Sequence, residues 1–317
     1  MASPVSRWML RVSVLVAAIV VLAFSGLSQS ASGQAPVPFR TPPPGSPPAK
    51  IRPYAEFGGC PEEPAVFHRC AQDKAKTFTP SRTPDGKPDF QGYWNRIGIR
   101  NLENIEEHPE SLDGSGGRSS IVDPADGRIP YQPWARAKRD AHFDKYLDAG
   151  QYCLPDGAPR FLWGATKFVV QTPGYVFMLN DYADTYRIIP TDGRPRIGPN
   201  IRLWQGDLRG QWEGNTLVIE PTNQLAETTL DHIGNFITPD AKIVERLTMI
   251  DKDVIHVTAT IEDAKVFTRP WTVAFGWRRN PNPKYESWEQ GCWEGVYNTS
   301  LKYTDEGRKR SRGAFQK

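Results

Sequence analysis

The chain has 317 residues with a formal net charge of +3, and 38% of its residues are hydrophobic, including ten tryptophans. A chain of this length forms one large domain or two small ones, and its aromatic content is ample for a hydrophobic core. The basic residues are interspersed with acidic ones, which argues against a nucleic-acid-binding protein.

The first 35 residues have the three parts of an export signal. Arg7 and Arg11 form a positive region, residues 12–27 form an apolar stretch, and small residues follow it. The apolar stretch is shorter than the roughly 20 residues that a membrane-spanning helix needs. We therefore expect residues 1–35 to be removed and the protein to be periplasmic or extracellular. An uncleaved signal would be its only membrane contact.

All four cysteines follow the predicted signal, as expected for a protein that forms disulfides after export. Four cysteines allow three pairings. We favour Cys60–Cys70, because the two are close in sequence, and Cys153–Cys292, because both lie in loops that flank predicted strands. The spacing of Cys60 and Cys70 is not that of a zinc site, and no haem attachment motif is present, so we expect no metal and no cofactor.

Proline and glycine divide the rest of the chain into segments. The predicted division is a proline-rich tether (36–53), an irregular N-terminal segment with the first strand (54–130), an antiparallel β domain (131–304) and a basic tail (305–317). The first strand is expected at Phe90–Trp94. The β domain is expected to begin with a helix over 132–149, which is the only convincing helical pattern.

From Phe161 onward, apolar and polar residues alternate with a period of two. The predicted strands are Lys167–Thr172, Tyr175–Tyr182, Thr185–Pro190, Thr216–Glu220, Ile243–Ile250, Val254–Glu262, Trp271–Trp277 and Tyr285–Trp288. The stretch 206–215 before the fourth strand is interpreted as two polar turns around a tryptophan. Short strands in series predict an antiparallel barrel or strongly curved meander, of which a lipocalin-like barrel is one form, with one flanking helix. A two-sheet β-sandwich is the alternative.

Several sequence blocks occur in a fixed order between residues 80 and 300. They include Cys153-Leu-Pro-Asp-Gly-Ala-Pro-Arg160, Val169-Val-Gln-Thr-Pro-Gly174, Gly206 to Glu220, Val244-Glu-Arg-Leu247 and Thr268-Arg-Pro-Trp271. The set resembles a family of secreted, functionally uncharacterised bacterial β-rich proteins. The resemblance implies a periplasmic or extracellular β domain and implies no reaction. Family members often have a histidine shortly after the position of Asp231, but the corresponding stretch here, Phe236-Ile-Thr-Pro239, has none. If that histidine is catalytic in the family, His232 would have to replace it in this chain.

Glu245 is the first candidate for acid–base chemistry. Strand alternation sends Glu245 and its neighbour Arg246 to opposite faces, so one of them is expected to be buried. A buried carboxylate needs a cationic partner or a raised pKa. Glu245 is therefore either a general acid or base, or half of a structural ion pair with Arg187 or Arg269. Both arginines are also candidates for binding an anionic group of a ligand.

Asp231 and His232 form an adjacent carboxylate and imidazole pair. Neighbouring residues on an extended segment point apart, so adjacency does not make a catalytic dyad. His232 is nevertheless a candidate proton carrier, because an imidazole titrates near neutral pH. His256 alternates with apolar neighbours and is expected to face solvent. The histidine spacing predicts no metal site.

Asp207 and Arg209 have a spacing that places both side chains on one side of an extended segment. They are expected either to hold a planar anionic or hydroxylated ligand or to lock a corner of the fold. Aromatic residues along the strands, including Trp212 and Tyr186, are expected to fill the core or to line a cavity for a ligand.

Three functions are consistent with these residues. The first is an exported β-barrel protein that binds a small hydrophobic, aromatic or sugar-like ligand. The second is a cofactor-free hydrolase, isomerase or lyase, in which Glu245, Asp231 or His232 moves a proton and Arg209 or Arg187 stabilises negative charge. The third is a structural envelope protein. An enzyme requires a carboxylate or imidazole facing a cavity, whereas a barrel filled by tryptophans leaves no room for a ligand inside. The sequence sets neither the ligand nor the oligomeric state.

Overall fold

The computed structural model describes residues 53–97, 104–109, 116–142, 155–181, 185–225 and 229–287. The expected signal, nearly all of the tether, the basic tail and the Cys153–Cys292 disulfide lie outside these ranges. Within them, no helix is long and apolar enough to cross a membrane.

The described residues form two α-helices and twelve β-strands. The helices are α1 (Pro64–Ala75) and α2 (Pro133–His142). The strands are β1 (Glu56–Phe57), β2 (Cys60–Pro61), β3 (Gly92–Ile97), β4 (Ile121–Asp123), β5 (Lys167–Thr172), β6 (Tyr175–Asn180), β7 (Tyr186–Pro190), β8 (Asp207–Glu213), β9 (Thr216–Thr222), β10 (Lys242–Asp251), β11 (Val254–Glu262) and β12 (Trp271–Arg279).

Strands β3 to β12 form one antiparallel sheet that curls into a nearly closed barrel, as the sequence predicts. The strand order is β7-β6-β5-β3-β12-β11-β10-β9-β8, and β4 pairs with β12. The two edge strands, β7 and β8, lie against each other and complete the wall. They approach closely at Gly210, where a Cβ atom would lie 2.7 Å from a methyl carbon of Ile189.

Seven of the eight predicted strands are present, with ends within two residues of those expected. The prediction for Tyr285–Trp288 is wrong over its described residues, because 285–287 form no strand. The interpretation of 206–215 as two turns is also wrong at its centre, since Asp207–Glu213 is β8. There the polar residues and Gly210 give β8 the composition of a turn, which hides the strand.

The N-terminal segment is more ordered than expected. The first strand expected at Phe90–Trp94 is present as β3, Gly92–Ile97, and lies between β5 and β12 in the main sheet. The segment 54–130 also contains α1, the short hairpin β1–β2 and β4, which the sequence does not predict. Helix α1 escapes sequence analysis because it buries only a narrow stripe, Pro64, Phe67 and Ala71. Tertiary packing, rather than a wide apolar face, stabilises such a helix.

Helix α1 packs on the outside of the barrel. Phe67 lies over Gly276 of β12, which has no side chain, and over Ile97 of β3. A disulfide between Cys60 and Cys70 ties α1 to the β1–β2 hairpin, which confirms the first predicted pairing.

Large aromatic side chains fill the barrel interior. Trp94, Trp163, Trp271 and Trp277 are each at most 2% exposed. Three of their indole N–H groups donate to backbone carbonyl oxygens: Trp94 to Phe90 at 2.7 Å, Trp163 to Leu230 at 3.1 Å and Trp277 to Leu162 at 2.9 Å. The last two bonds satisfy buried donors and tie residues distant in sequence to one another.

We expect Gly276→Ala to lower the free energy of unfolding by about 1–3 kcal/mol, because its methyl group would lie about 2.6 Å from the Phe67 ring and displace α1. Gly198→Ala is the control, since no atom lies within 4 Å of its added carbon. Urea denaturation measures both. Equal stability of the two variants would contradict the packing of α1 on Gly276.

Candidate functional site

A buried ion pair crosses the barrel interior. Arg187 projects inward from β7 and Glu245 from β10, and Arg187 Nη1 lies 2.7 Å from Glu245 Oε2 with both side chains fully buried. Arg187 Nε donates to Gln205 Oε1 at 2.9 Å, and the guanidinium lies 4.4 Å from the centre of the Phe161 ring. Of the two partners that the sequence suggests for Glu245, Arg187 is therefore the one that binds it.

The hydrogen bonding of this pair is incomplete within the described residues. Arg187 Nη2 and Glu245 Oε1 are buried and have no hydrogen-bond partner there. Burial raises the pKa of Glu245, and the nearby charge and hydrogen bond of Arg187 oppose that rise. Because the carboxylate is bonded to a cation inside the barrel, it is not poised to exchange protons with a molecule bound at the surface.

Lys167 is a second buried cation in the same interior. Its Nζ donates to the carbonyl oxygens of Gly164 and Ala165 and to Asn180 Oδ1, and it lies 5.1 Å from the centre of the Phe161 ring. Burial lowers the pKa of Lys167 to about 7. Sequence analysis missed this residue, although the alternation that sends Val169 inward also sends Lys167 inward.

Asp231 and His232 lie in a turn rather than on a strand, and they differ in burial. Asp231 is fully buried and accepts hydrogen bonds from the backbone N–H groups of Ile105 at 3.2 Å and Asn235 at 3.1 Å, and from the Asn235 side chain. His232 is exposed. Burial raises the pKa of Asp231 to about 6, against the effect of these hydrogen bonds. Asp231 joins two loops, and it forms no dyad with His232.

Asp207 and Arg209 project from the outer face of β8 and hold the preceding connection in place. Arg209 Nη1 binds Asp207 Oδ1, while Nη2 donates to the carbonyl oxygen of Pro195 at 2.5 Å and Nε to that of Arg194 at 3.2 Å. The other oxygen of Asp207 accepts the backbone N–H of Ile197 at 3.0 Å. This geometry corresponds to the locked corner, and it commits the arginine's donors to the protein.

An open groove of about 460 Å³ lies beside this corner, where β8 meets the connection after β7. We call it the seam groove; its lining includes Lys87, Arg194, Arg196, Arg209, Trp212 and Glu220. Arg196 is paired with Glu220 at 3.0 Å, whereas the Lys87 ammonium has no hydrogen bond within the described chain. Trp212 is half-buried, with its ring 5.4 Å from that of Phe90.

Two predicted ligand-binding residues lie apart from the seam groove. Arg269 is exposed and forms a bidentate ion pair with Asp123, at 2.5 and 2.7 Å. It does not contact Glu245, so that suggested pairing is wrong. Tyr186 is 63% exposed on the outer face of β7, because its position in the strand alternates with that of the inward Arg187.

A second groove, of about 530 Å³, lies between α1 and the outer face of β9 to β12. We call it the α1 groove; its lining includes His68, Gln72, Arg246, Thr248 and His256. His256 is on the outer face as predicted, but the expectation that it faces solvent is wrong, because α1 covers it and leaves it 6% exposed. His68 Nδ1 lies 3.0 Å from His256 Nε2. In the described part of the chain, no three His, Cys, Asp or Glu residues form a group that could hold a metal ion.

No protein-family model, curated protein or solved structure matches the chain. The resemblance to secreted bacterial proteins therefore stays a prediction from the sequence. The fold and the side-chain geometry are the basis for assigning function.

Removing one partner of the buried ion pair should destabilise the protein strongly. We expect Glu245→Leu to cost about 3–5 kcal/mol, because it leaves the Arg187 cation buried without its counterion. Arg187→Met should cost less, since Glu245 can become protonated. The double variant should recover much of the loss, because it buries no charge. Urea unfolding of the three variants measures the coupling free energy between Arg187 and Glu245. A double variant whose loss of stability equals the sum of the two single losses would contradict the ion pair.

Asp231 should make stability depend on pH in the acidic range. Its pKa is raised from 3.8 to about 6 in the folded state, so the native protein binds this proton more tightly than the unfolded chain does. The resulting stabilisation is complete below about pH 4 and is lost as the pH rises through about 6. The free energy of unfolding falls by about 3 kcal/mol over this range. Asp231→Asn should lack this decline. Urea denaturation of the native protein and of Asp231→Asn at pH 4 and pH 6.5 tests this prediction. An equal change in the free energy of unfolding between the two pH values in both proteins would count against it.

Proposed function

We propose that the protein is an exported β-barrel that binds a small, negatively charged ligand with an aromatic or sugar-like ring in the seam groove. The observation that carries this proposal is the presence of a half-buried tryptophan and an unpaired lysine ammonium in one open groove. Trp212 offers a flat apolar surface and Lys87 a positive charge. The volume of about 460 Å³ is in the range of small-molecule sites.

The site proposed here is on the outside of the barrel. A lipocalin-like ligand would require an open interior, but Trp94, Trp163, Trp271 and Trp277 occupy the space between the strands. Packed interiors have few voids larger than a water molecule. A ligand of drug-like size is therefore better accommodated at the surface, at the barrel seam where the connection after β7 meets β8 and the partly exposed Trp212 lies at the edge of the core.

The charges around the seam groove favour an anion. Arg194 is paired with Asp192, Arg196 with Glu220 and Arg209 with Asp207, so three ion pairs surround the single unpaired cation Lys87. Asp207 and Arg209 position the groove wall rather than contact the ligand, because their polar atoms are bonded within the protein. Trp212 stacks on the ring of the ligand, and Lys87 neutralises the negative charge of the ligand.

The export part of the proposal rests on the signal-like N-terminus and on the Cys60–Cys70 disulfide, which is typical of proteins that mature outside the cytoplasm. The acid–base enzyme is less favoured. Glu245 is bonded to Arg187 in the interior, and Asp231 is enclosed by backbone N–H groups.

Calorimetric titration of the untagged protein with 4-hydroxybenzoate and galacturonate tests the proposal, with 4-hydroxybenzamide and galactose as uncharged partners. We expect at least one of the anions to bind at least tenfold more tightly than its neutral partner, with affinity falling as salt rises. Lys87→Gln should abolish the difference between the two. Trp212→Leu should weaken both the anion and its neutral partner.

Lys242→Gln and Trp134→Leu are matched controls, since both residues are exposed and lie outside the seam groove. Circular dichroism checks that Trp212→Leu keeps its fold. Failure of both anions to bind, or equal binding by native protein and Lys87→Gln, would overturn the proposal.

A further inference from the structure

We propose that His68 and His256 form a binding site in the α1 groove for one late first-row divalent metal ion, of the class of Zn²⁺ or Cu²⁺. The proposal concerns a different face of the barrel from the seam groove and does not depend on the proposed function. It also departs from the expectation, drawn from histidine spacing, that the chain has no metal site.

The separation of the two nitrogens suits a shared metal ion. His68 Nδ1 and His256 Nε2 face each other at 3.0 Å. Two imidazole nitrogens bound to one ion at about 2.0–2.1 Å lie about 2.9 Å apart for a right angle at the metal and about 3.3 Å for a tetrahedral angle. An ion bound to both nitrogens lies about 1.4 Å off the line between them, so the imidazole rings rotate to direct their lone pairs at the ion while the nitrogens keep their separation.

Both histidines are held by rigid parts of the fold. His256 is in the middle of β11, which is paired on both sides, with β10 and with β12. His68 is on α1, which is anchored by Phe67 packed over Gly276 and by the disulfide at Cys70. A site built on such elements is formed before the ion arrives, so little conformational entropy is lost on binding.

The two side chains are of a type that binds late first-row metal ions. An imidazole nitrogen that carries no proton offers a lone pair to a metal ion. Imidazole ligands favour Zn²⁺ and Cu²⁺ over Mg²⁺ or Ca²⁺.

The groove supplies room and oxygen atoms for the remaining coordination positions. Gln72 lies one turn after His68 on α1, and Thr248 is the cross-strand neighbour of His256. Of the cations nearby, Arg246 is bonded to Glu213. Two protein nitrogens with water or these oxygens describe an open site, which binds metal more weakly than a closed structural site with four protein ligands.

Calorimetric titration of the EDTA-treated, untagged full chain with Zn²⁺ and with Cu²⁺ tests the proposal. We expect one ion per chain, with affinity at least tenfold weaker in His68→Gln and unchanged in His232→Gln, whose histidine is exposed elsewhere. Electron paramagnetic resonance of the Cu²⁺ form should show two coordinated nitrogens in native protein and one in His68→Gln. His68 carries the test because His256 is buried and its replacement can impair folding.

A gain of affinity provides an independent test. Residues 68 and 72 share a face of α1, so Gln72→His should add a third imidazole and strengthen Zn²⁺ binding at least tenfold. This gain should disappear in the double variant with His68→Gln. Binding that is absent, or that is equal in native protein and His68→Gln, would overturn the site, as would a Gln72→His variant with native affinity.

Discussion

The filled aromatic interior is the constraint on which the rest of the structure depends. A nearly closed sheet encloses a space that must be occupied, and here tryptophan side chains occupy it. The N–H groups of Trp94, Trp163 and Trp277 find acceptors away from water in the carbonyl oxygens of Phe90, Leu230 and Leu162. The N–H group of Trp271 is buried without a partner among the described residues. The same contacts therefore fill the barrel and hold the segments that cover it.

The Arg187–Glu245 pair follows from this enclosure. An ion pair inside a closed barrel gains strong attraction but loses hydration, and the balance is close to neutral unless the remaining polar atoms are bonded. Gln205 and the face of Phe161 compensate the guanidinium in part. The pair joins β7 to β10 across the interior, so it fixes how the edge strand lies relative to the opposite wall and contributes more to geometry than to chemistry.

Filling the interior leaves the outer face as the place for binding. Both described grooves occur where a connecting segment lies against the sheet: the chain after β7 beside β8 in one case, and α1 over β9 to β12 in the other. In each groove, most charged groups are paired with one another, and the groups that remain for a ligand are few: the Lys87 ammonium and the two imidazoles. Sparse polar groups in a formed groove are typical of selective small-ligand sites.

The sequence by itself determined the strand content and the barrel class, because a period of two and frequent turn residues are local properties of the chain. It also indicated Cys60–Cys70 and that one of Glu245 and Arg246 faces inward. Only the tertiary structure decided that Glu245 is the buried one of the two, that Arg187 rather than Arg269 binds it, and that His68 meets His256. The two histidines are far apart in sequence, and which residues meet depends on how strands and helix pack, which no local pattern encodes.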